Sequence, residues 1–220
     1  MPTDEELKAI GLKTADTLKE YLTEKEGWHT AKKTKDVLIE YRHSKCEGFE
    51  HGYLYRGQAE YHCSKDIIFR YIDPLHDDCM RTKWDKDITG IKILKQITPD
   101  LRICRSTTNS AAMGLISPRD FIDVILTIIT DDCISTNGTS IEYSDCPPVH
   151  EYVRGWNHPC GMMCMSVPDK VDYTKLVTFI QPDIKGMIPR TLVDSALPAS
   201  MSGFFSNLRS ILKKDGHIKK

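Results

Sequence analysis

Three polar side chains spaced two residues apart have the chemistry of a hydrogen-bonding site for a ligand. Cys104, Ser106 and Thr108 share one face if their segment is a β-strand, because side chains alternate along a strand. On an interior face, small hydroxyls beside apolar residues suit a lipid that carries one polar head. Such a head needs a partner, because a buried hydroxyl left unpaired costs about 1–3 kcal/mol. The periodicity alone favours a half-exposed strand whose hydroxyls meet only water.

A second group has the side chains of metal ligands but an unsuitable spacing. His158, Cys160 and Cys164 share strand parity, and on one strand they spread over about 20 Å at roughly 3.3 Å per residue. A single tetrahedral zinc ion cannot span that distance without a sharp bulge. The sequence also has no Gly-x-Ser-x-Gly elbow, no His-Glu-x-x-His motif and no glycine-rich phosphate loop. We therefore predict no metal, no cofactor, no catalytic residue and no enzymatic activity.

The composition is that of an ordinary soluble globular protein. Hydrophobic residues make up 40% and charged residues 28% of the 220 residues, with a net charge of -1. This length suits a single domain over residues 1–220. The charge gives no global attraction to nucleic acid. The polar N-terminus is not a signal peptide, and the longest apolar run, 121–129, is far below the roughly 20 residues that span a bilayer. We expect a cytoplasmic monomer whose eight cysteines are free thiols.

The first part of the chain predicts two helices. Thr3 and Glu6 form a Thr-x-x-Glu capping box, and apolar residues follow at helical spacing. This pattern predicts an amphipathic helix over residues 4–24. A second helix is predicted over residues 65–73, with an apolar side of isoleucines and a tyrosine.

The end of the chain predicts another helix. We expect a short turn after Pro189 and then, past Pro198, a helix over residues 200–214. One apolar stripe follows its helical spacing. The stripe consists of Leu197, Met201, Phe204, Leu208 and Ile211.

Strand signals occupy the centre of the sequence. Two short segments rich in β-formers come first, at residues 37–41 and 53–59. Six further strands are predicted after residue 90, at 91–98, 101–109, 120–130, 133–143, 151–164 and 174–184. Short connections between consecutive strands indicate an antiparallel meander. The fold class is therefore α+β.

Several motifs, in order and with matching spacing, resemble the StAR-related lipid-transfer (START) domain family, and most closely its short single-domain sterol and bile-acid carriers. The motifs are Lys83-Trp84-Asp85, Ser110-Ala111-Ala112-Met113, Ser117-Pro118-Arg119-Asp120-Phe121, Arg154-Gly155-Trp156-Asn157-His158-Pro159-Cys160-Gly161 and Lys185-Gly186-Met187-Ile188-Pro189. The resemblance runs from about Gly27 to Leu212. It implies a helix-grip fold, in which a curved antiparallel β-sheet and the N- and C-terminal helices enclose a hydrophobic tunnel.

The resemblance implies a lipid carrier that holds one sterol or sterol-derived ligand, such as cholesterol, an oxysterol or a bile acid, and touches membranes transiently. It makes the alternating face of Cys104, Ser106 and Thr108 part of the tunnel wall. The expected ligand-binding residues are Arg81, Cys104, Ser106, Thr108, Ile125, Met201, Phe204 and Leu208. Two alternatives remain open, a ligand-sensing module that docks a protein partner and a hydrolase or cyclase that uses the same cavity.

One feature departs from part of the family. Some sterol-binding relatives place a buried acid and a buried arginine at the positions matching Ser106 and Ile125, and this chain has neither charge there. Polar recognition must then come from elsewhere. Arg81 is the candidate, because bile-acid-binding members also have an arginine three residues before this tryptophan. A guanidinium can hold a carboxylate by paired hydrogen bonds, although an exposed arginine without a partner is an equal alternative.

The segment from Ser110 to Ile116 is predicted to be an exposed loop with apolar side chains at Met113, Leu115 and Ile116. Exposed apolar side chains on a loop usually contact something. In the family, the matching loop and the last helix border the tunnel entrance, so the resemblance implies a gate. A loop folded permanently onto the core is the alternative.

Two of the three charged residues near the start of the strand at 120–130 are predicted to have structural roles. Arg119 and Asp120 lie where a loop enters the strand, a place where such pairs fix the turn. Asp123 shares the face of Phe121 and Ile125. Buried and unpaired, it would be costly, so we expect a hydrogen-bonding partner or a position near the rim.

Overall fold

The computed structural model describes residues 2–73 and 80–218. Within these residues, four α-helices accompany twelve strands. The helices are α1 Asp4–Thr23, α2 Lys65–Ile72, α3 Arg81–Trp84 and α4 Arg190–Lys214. The strands are β1 His29–Lys33, β2 Leu38–His43, β3 Tyr53–His62, β4 Ile88–Thr98, β5 Leu101–Thr108, β6 Arg119–Ile129, β7 Cys133–Ser140, β8 Val153–Arg154, β9 Trp156–Asn157, β10 Cys160–Ser166, β11 Tyr173–Ile180 and β12 Pro182–Asp183. In this described part, no helix has the length and hydrophobicity needed to cross a bilayer.

Most strands form one long sheet in the order β1-β2-β3-β11-β10-β7-β6-β5-β4, and β8 pairs with β6 in parallel. The run from β4 to β7 is the predicted antiparallel meander. The sheet as a whole is more than a meander, because β3 from the first half of the chain pairs with β11 near its end. Helices at both termini flank this sheet, which confirms the predicted helix-grip architecture.

Helix α1 covers the outer face of the sheet. Its predicted capping box is present, with the Glu6 carboxylate accepting from the Thr3 backbone N–H at 2.7 Å. Leu7 is buried in a core cluster with Ile122, Val124 and Leu126 of β6. Since side chains alternate along a strand, the odd-numbered residues of β6 project to the opposite, inner face.

Helix α4 packs on the inner face and corrects one prediction. It is a single helix of 25 residues that runs through Pro198, rather than a turn followed by a helix over 200–214. Proline removes one backbone hydrogen bond and usually breaks a helix. Here packing offsets that cost, because Met201 and Phe205 are buried against the sheet. Gly57 of β3 allows this approach, since a Cβ there would lie 2.6 Å from the Phe205 ring.

Two strand predictions are also wrong in detail, and one strand is missing from the predictions. The segment 151–164 contains β8, β9 and the start of β10 instead of one strand, and 174–184 is interrupted at Gln181 between β11 and β12. The buried Gln181 side chain accepts from Ser44 at 3.0 Å and donates to the Tyr21 hydroxyl at 3.0 Å, which fixes the interruption. Strand β1 was not predicted, because its side chains are polar or small and exposed, as is common at sheet edges.

Candidate functional site

A cavity of about 370 Å³ lies between the inner face of the sheet and α4. Its volume is within the range of small-molecule pockets, which are mostly apolar with a few placed polar groups. The lining follows strand alternation, with Cys104, Ser106 and Thr108 of β5 beside Phe121, Asp123 and Ile125 of β6. Helix α4 closes the opposite side with Val193, Met201 and Phe204.

The structure brings seven of the eight expected ligand-binding residues together around this cavity. They are Arg81, Cys104, Ser106, Thr108, Ile125, Met201 and Phe204. Leu208 is absent from the described lining and corrects the expected set. It is fully buried in the core cluster that contains Tyr61, Ile68 and Leu212. One turn beyond Phe204, Leu208 therefore packs in the core and not at the described lining of the cavity.

The hydroxyls of β5 differ in how they are used. Thr108 Oγ1 accepts from the backbone N–H of Arg119 at 3.2 Å, so the turn into β6 already engages it. The half-buried Ser106 hydroxyl has no hydrogen-bond partner among residues 2–73 and 80–218. Ser106 is thus better placed than Thr108 to meet a ligand.

The loop from Ser110 to Ile116 has an exposed tip and a closed base. Met113 and Leu115 are exposed at the tip, and Met113 has a left-handed backbone with φ 56°. Ala111 and Ile116 exchange two backbone hydrogen bonds of 2.8 and 3.1 Å at the base. This closure turns Ile116 inward, so the prediction that it is exposed is wrong. Ile116 is buried and lines the cavity.

Arg81 reaches the cavity from α3 and is not free. Its Nε donates to Asp85 at 2.9 Å, one helical turn further along the chain. The guanidinium also lies over the Phe204 ring, 5.3 Å from its centroid. The arginine is therefore held at the wall in an ion pair whose acid is itself buried.

Asp123 is the buried carboxylate of β6, and the prediction that it has partners is confirmed. Its Oδ1 accepts from Ser140 Oγ at 2.7 Å, and its Oδ2 accepts from Asn157 Nδ2 at 2.9 Å. Both donors are neutral. Burial raises the pKa of the Asp123 carboxyl to about 6, and the two hydrogen bonds lower it only in part.

Sequence reasoning missed a buried ion pair at the end of the cavity wall. Arg102 Nη2 donates to Asp73 at 2.8 Å, and both side chains are fully buried. Arg102 lies opposite Ile125 in the register of β5 and β6, and its Nη1 donates to Thr127 at 3.3 Å. Because Arg102 lies two residues before Cys104, strand alternation could have placed it on the inner face. Charge is thus present beside Ile125, on the neighbouring strand.

Arg119 and Asp120 hold the entry to β6, as predicted. Arg119 donates to the carbonyl oxygens of Ser117, Ile184 and Lys185, which ties the loop before β6 to the segment after β12. Asp120 is buried and accepts from Arg105 and Arg154, each at 2.8 Å. These contacts stabilise the loops around the cavity.

The candidate metal ligands of the sequence are dispersed. His158 stacks on Phe49 with ring centroids 4.4 Å apart, Cys160 lines the cavity, and Cys164 is buried in the core. Among residues 2–73 and 80–218, no group of three His, Cys, Asp or Glu residues could hold a metal ion. The cysteines of this part are free thiols, and Cys79 lies outside the described residues.

Comparison with known proteins gives matches along nearly the whole chain. The profile of the START domain matches residues 13–218. StAR-related lipid transfer protein 5 of Bos taurus is 38% identical over 201 residues, covering 91% of this chain and 92% of the bovine protein. StAR-related lipid transfer protein 4 of Homo sapiens is 33% identical over 208 residues, covering 94% and 98%. The solved structure of human StAR-related lipid transfer protein 5 gives a TM-score of 0.89 at 35% identity, covering 96% of this chain and 99% of that one.

Proposed function

This chain belongs to the START domain family, and we propose that it binds one sterol-sized lipid in its cavity and carries it between membranes. The observation that carries the proposal is the apolar cavity between α4 and the sheet, with its few polar groups. Burying the apolar surface of a sterol contributes roughly 25 cal/mol per Å². Extraction, shielding and release need no covalent step, and the similar proteins above are named as lipid transfer proteins, not as enzymes.

The carrier is further proposed to work as a monomeric single domain in the cytoplasm, without a nucleic-acid partner. Its near-neutral net charge and ordinary globular composition support this proposal. Size-exclusion chromatography with light scattering and cell fractionation would test it.

The function predicts saturable binding of one ligand per chain. Purified protein is titrated with fluorescent sterol and bile-acid probes, and transfer of the bound probe between donor and acceptor vesicles is followed. We expect at least one probe to saturate near one per chain and to be transferred. Failure of every probe to saturate would overturn the proposal. Ligand-dependent binding to a protein partner without vesicle transfer would favour the sensing module instead.

The loop from Ser110 to Ile116 is proposed to act as the gate of this cavity. Its inward residue, Ile116, lines the cavity, while its tip presents Met113 and Leu115 to solvent. A loop that touches both the cavity and the surroundings can couple contact with a bilayer to opening. Such loop motions are slower than side-chain motions.

An acid at the loop tip is expected to impair transfer without unfolding the protein. Leu115→Asp should lower the vesicle-to-vesicle transfer rate roughly tenfold, because burying a leucine in an apolar phase is worth about 1.5–3 kcal/mol. The thermal midpoint should hardly change, because Leu115 is 67% exposed. Transfer is measured by fluorescence and the midpoint by calorimetry.

A matched control exists at the other end of β6. Ile129 is similarly exposed, at 70%, but lies far from the loop in the strand, so Ile129→Asp should leave transfer unchanged. An equal loss in both variants would remove the loop from the mechanism. A large drop in the midpoint of Leu115→Asp would show that the loop belongs to the core.

A further inference from the structure

We propose that Asp123 recognises a hydroxyl group of the ligand and selects against ligands that present a carbonyl oxygen at that point. This inference rests on the proposed lipid-binding function and names the polar feature that the cavity requires of its ligand.

Asp123 lies on the inner face of the sheet, in β6. It stands opposite Cys104 in the pairing of β5 with β6 and opposite Ser140 in the pairing of β6 with β7. The side chain lines the cavity and is 8% exposed. A ligand that fills the cavity therefore lies beside this carboxylate, while Phe121 and Ile125 contact its apolar surface.

The carboxylate is fixed in orientation by a short network. Ser140 Oγ donates to Asp123 and accepts from the backbone N–H of Asn157 at 2.7 Å. The Asn157 side chain donates to the second carboxylate oxygen, and the backbone carbonyl of Asn157 accepts from Thr139 Oγ1 at 3.1 Å. Asp123 thus cannot turn away from the cavity without breaking two hydrogen bonds. Each of its oxygens keeps further lone pairs that can accept a hydrogen bond from a ligand.

The recorded hydrogen bonds of Asp123 include no cationic donor. Arg102 on the neighbouring strand pairs with Asp73, and Arg81 in the cavity wall pairs with Asp85. Arg119, which also lines the cavity, donates to backbone carbonyl oxygens. A buried carboxylate without a cation is costly. A ligand hydroxyl that donates to Asp123 lowers this cost, whereas a carbonyl oxygen places a second acceptor against the first.

The neighbouring thiols of Cys104 and Cys160 do not supply Asp123 with a charged donor. Burial raises the pKa of Cys104 to about 11, and burial also raises the pKa of Cys160. Both groups are therefore neutral near pH 7 and are only weak donors. The other charged side chains that line the cavity with Asp123 are Arg81, Asp85, Asp87 and Arg119.

Matched ligands that differ only in hydroxyl or keto groups test the proposal. The first pair is 5α-cholestan-3β-ol and 5α-cholestan-3-one, and the second is cholate and its fully oxidised 3,7,12-triketo form. For whichever pair binds, we expect the wild-type protein at pH 8 to prefer the hydroxyl form at least about tenfold. Site-built hydrogen bonding commonly gives this or more. Asp123→Asn, whose amide can also donate, should reduce the preference to about threefold or less.

The control is Asp131→Asn, which makes the same chemical change at an exposed turn outside the cavity. It should leave the preference unchanged. A wild-type protein without preference, or an Asp123→Asn variant with the wild-type preference, would overturn the role of Asp123 while leaving the carrier function intact. Failure of all four ligands to bind would overturn the proposed function itself.

A pH series on the wild-type protein tests the same residue without a substitution. Burial raises the pKa of Asp123 to about 6. At pH 8 the carboxyl is therefore ionised and can only accept hydrogen bonds, whereas at pH 5 it carries a proton that it can donate. The preference for the hydroxyl form should therefore fall as the pH decreases through about 6. A preference that stays constant from pH 8 to pH 5 would contradict the proposal.

Discussion

Replacing Arg102 by methionine is expected to lower the free energy of unfolding by about 3–5 kcal/mol, the range for breaking a buried ion pair by removing one partner. Arg102 and Asp73 are both fully buried and 2.8 Å apart. Methionine fills similar space but removes the cation that pairs with this buried carboxylate. Urea denaturation with linear extrapolation measures the change. This is the largest effect on stability that we expect from a single substitution.

A double variant separates the charge from the shape. Arg102→Met with Asp73→Asn removes both charges and should recover more than half of the loss, because a buried pair replaced as a unit is often nearly neutral. Lys170→Met, which removes an exposed ion pair with Glu60, should hardly change stability. If Arg102→Met lowers the free energy of unfolding only slightly, or if the double variant is as unstable as Arg102→Met alone, then the charge pairing is not what stabilises this end of the cavity.

The sequence was sufficient for the elements whose local signals agree with their tertiary environment. Helix α1 has a capping box and a regular apolar stripe, and it begins and ends within one residue of the prediction. In β5 and β6, one face packs under α1 and the other faces the cavity. In these segments, local preference and burial require the same residues.

The errors arose where distant contacts override local preference. Pro198 predicts a break, but α4 continues because its apolar residues are buried against a sheet that the local sequence does not describe. The interruption at Gln181 depends on Ser44 and Tyr21, which are remote in the chain. No local pattern contains such information.

In the cavity wall too, local patterns were predictable from the sequence and contacts between distant elements were not. Strand parity placed Cys104 and Ser106 on one face, and the same parity applies to Arg102. Pairing between elements could not be derived, so the partnership of Arg102 with Asp73, 29 residues away, was missed. The inward turn of Ile116 depends on its backbone pairing with Ala111, which an apolar residue in a loop does not signal.

The second large effect is expected on ligand selectivity. If Arg81 holds an acidic head group, Arg81→Ala should weaken the binding of a bile-acid carboxylate by about 1.5–3 kcal/mol, the range for hydrogen bonds that involve charge. An uncharged sterol should lose much less, because it presents no anion. The recorded bond to Asp85 uses Nε, so a ligand carboxylate would meet the two terminal amino groups. Dissociation constants for cholate and cholesterol, measured on both proteins, give the comparison.

The ratio between the two ligands is the informative quantity, because Arg81→Ala also leaves the buried Asp85 without its cation and so affects stability. Arg190→Ala is the matched control, since Arg190 pairs with Asp194 at the same helical spacing but does not line the described cavity. It should not alter the ratio. Arg81→Lys should recover only part of the cholate affinity, because an ammonium cannot make the planar two-point contact. Equal losses of affinity for cholate and cholesterol would make Arg81 a structural residue. In the described wall, Arg119 would then be the remaining cation for a carboxylate, and its guanidinium already donates to backbone carbonyls.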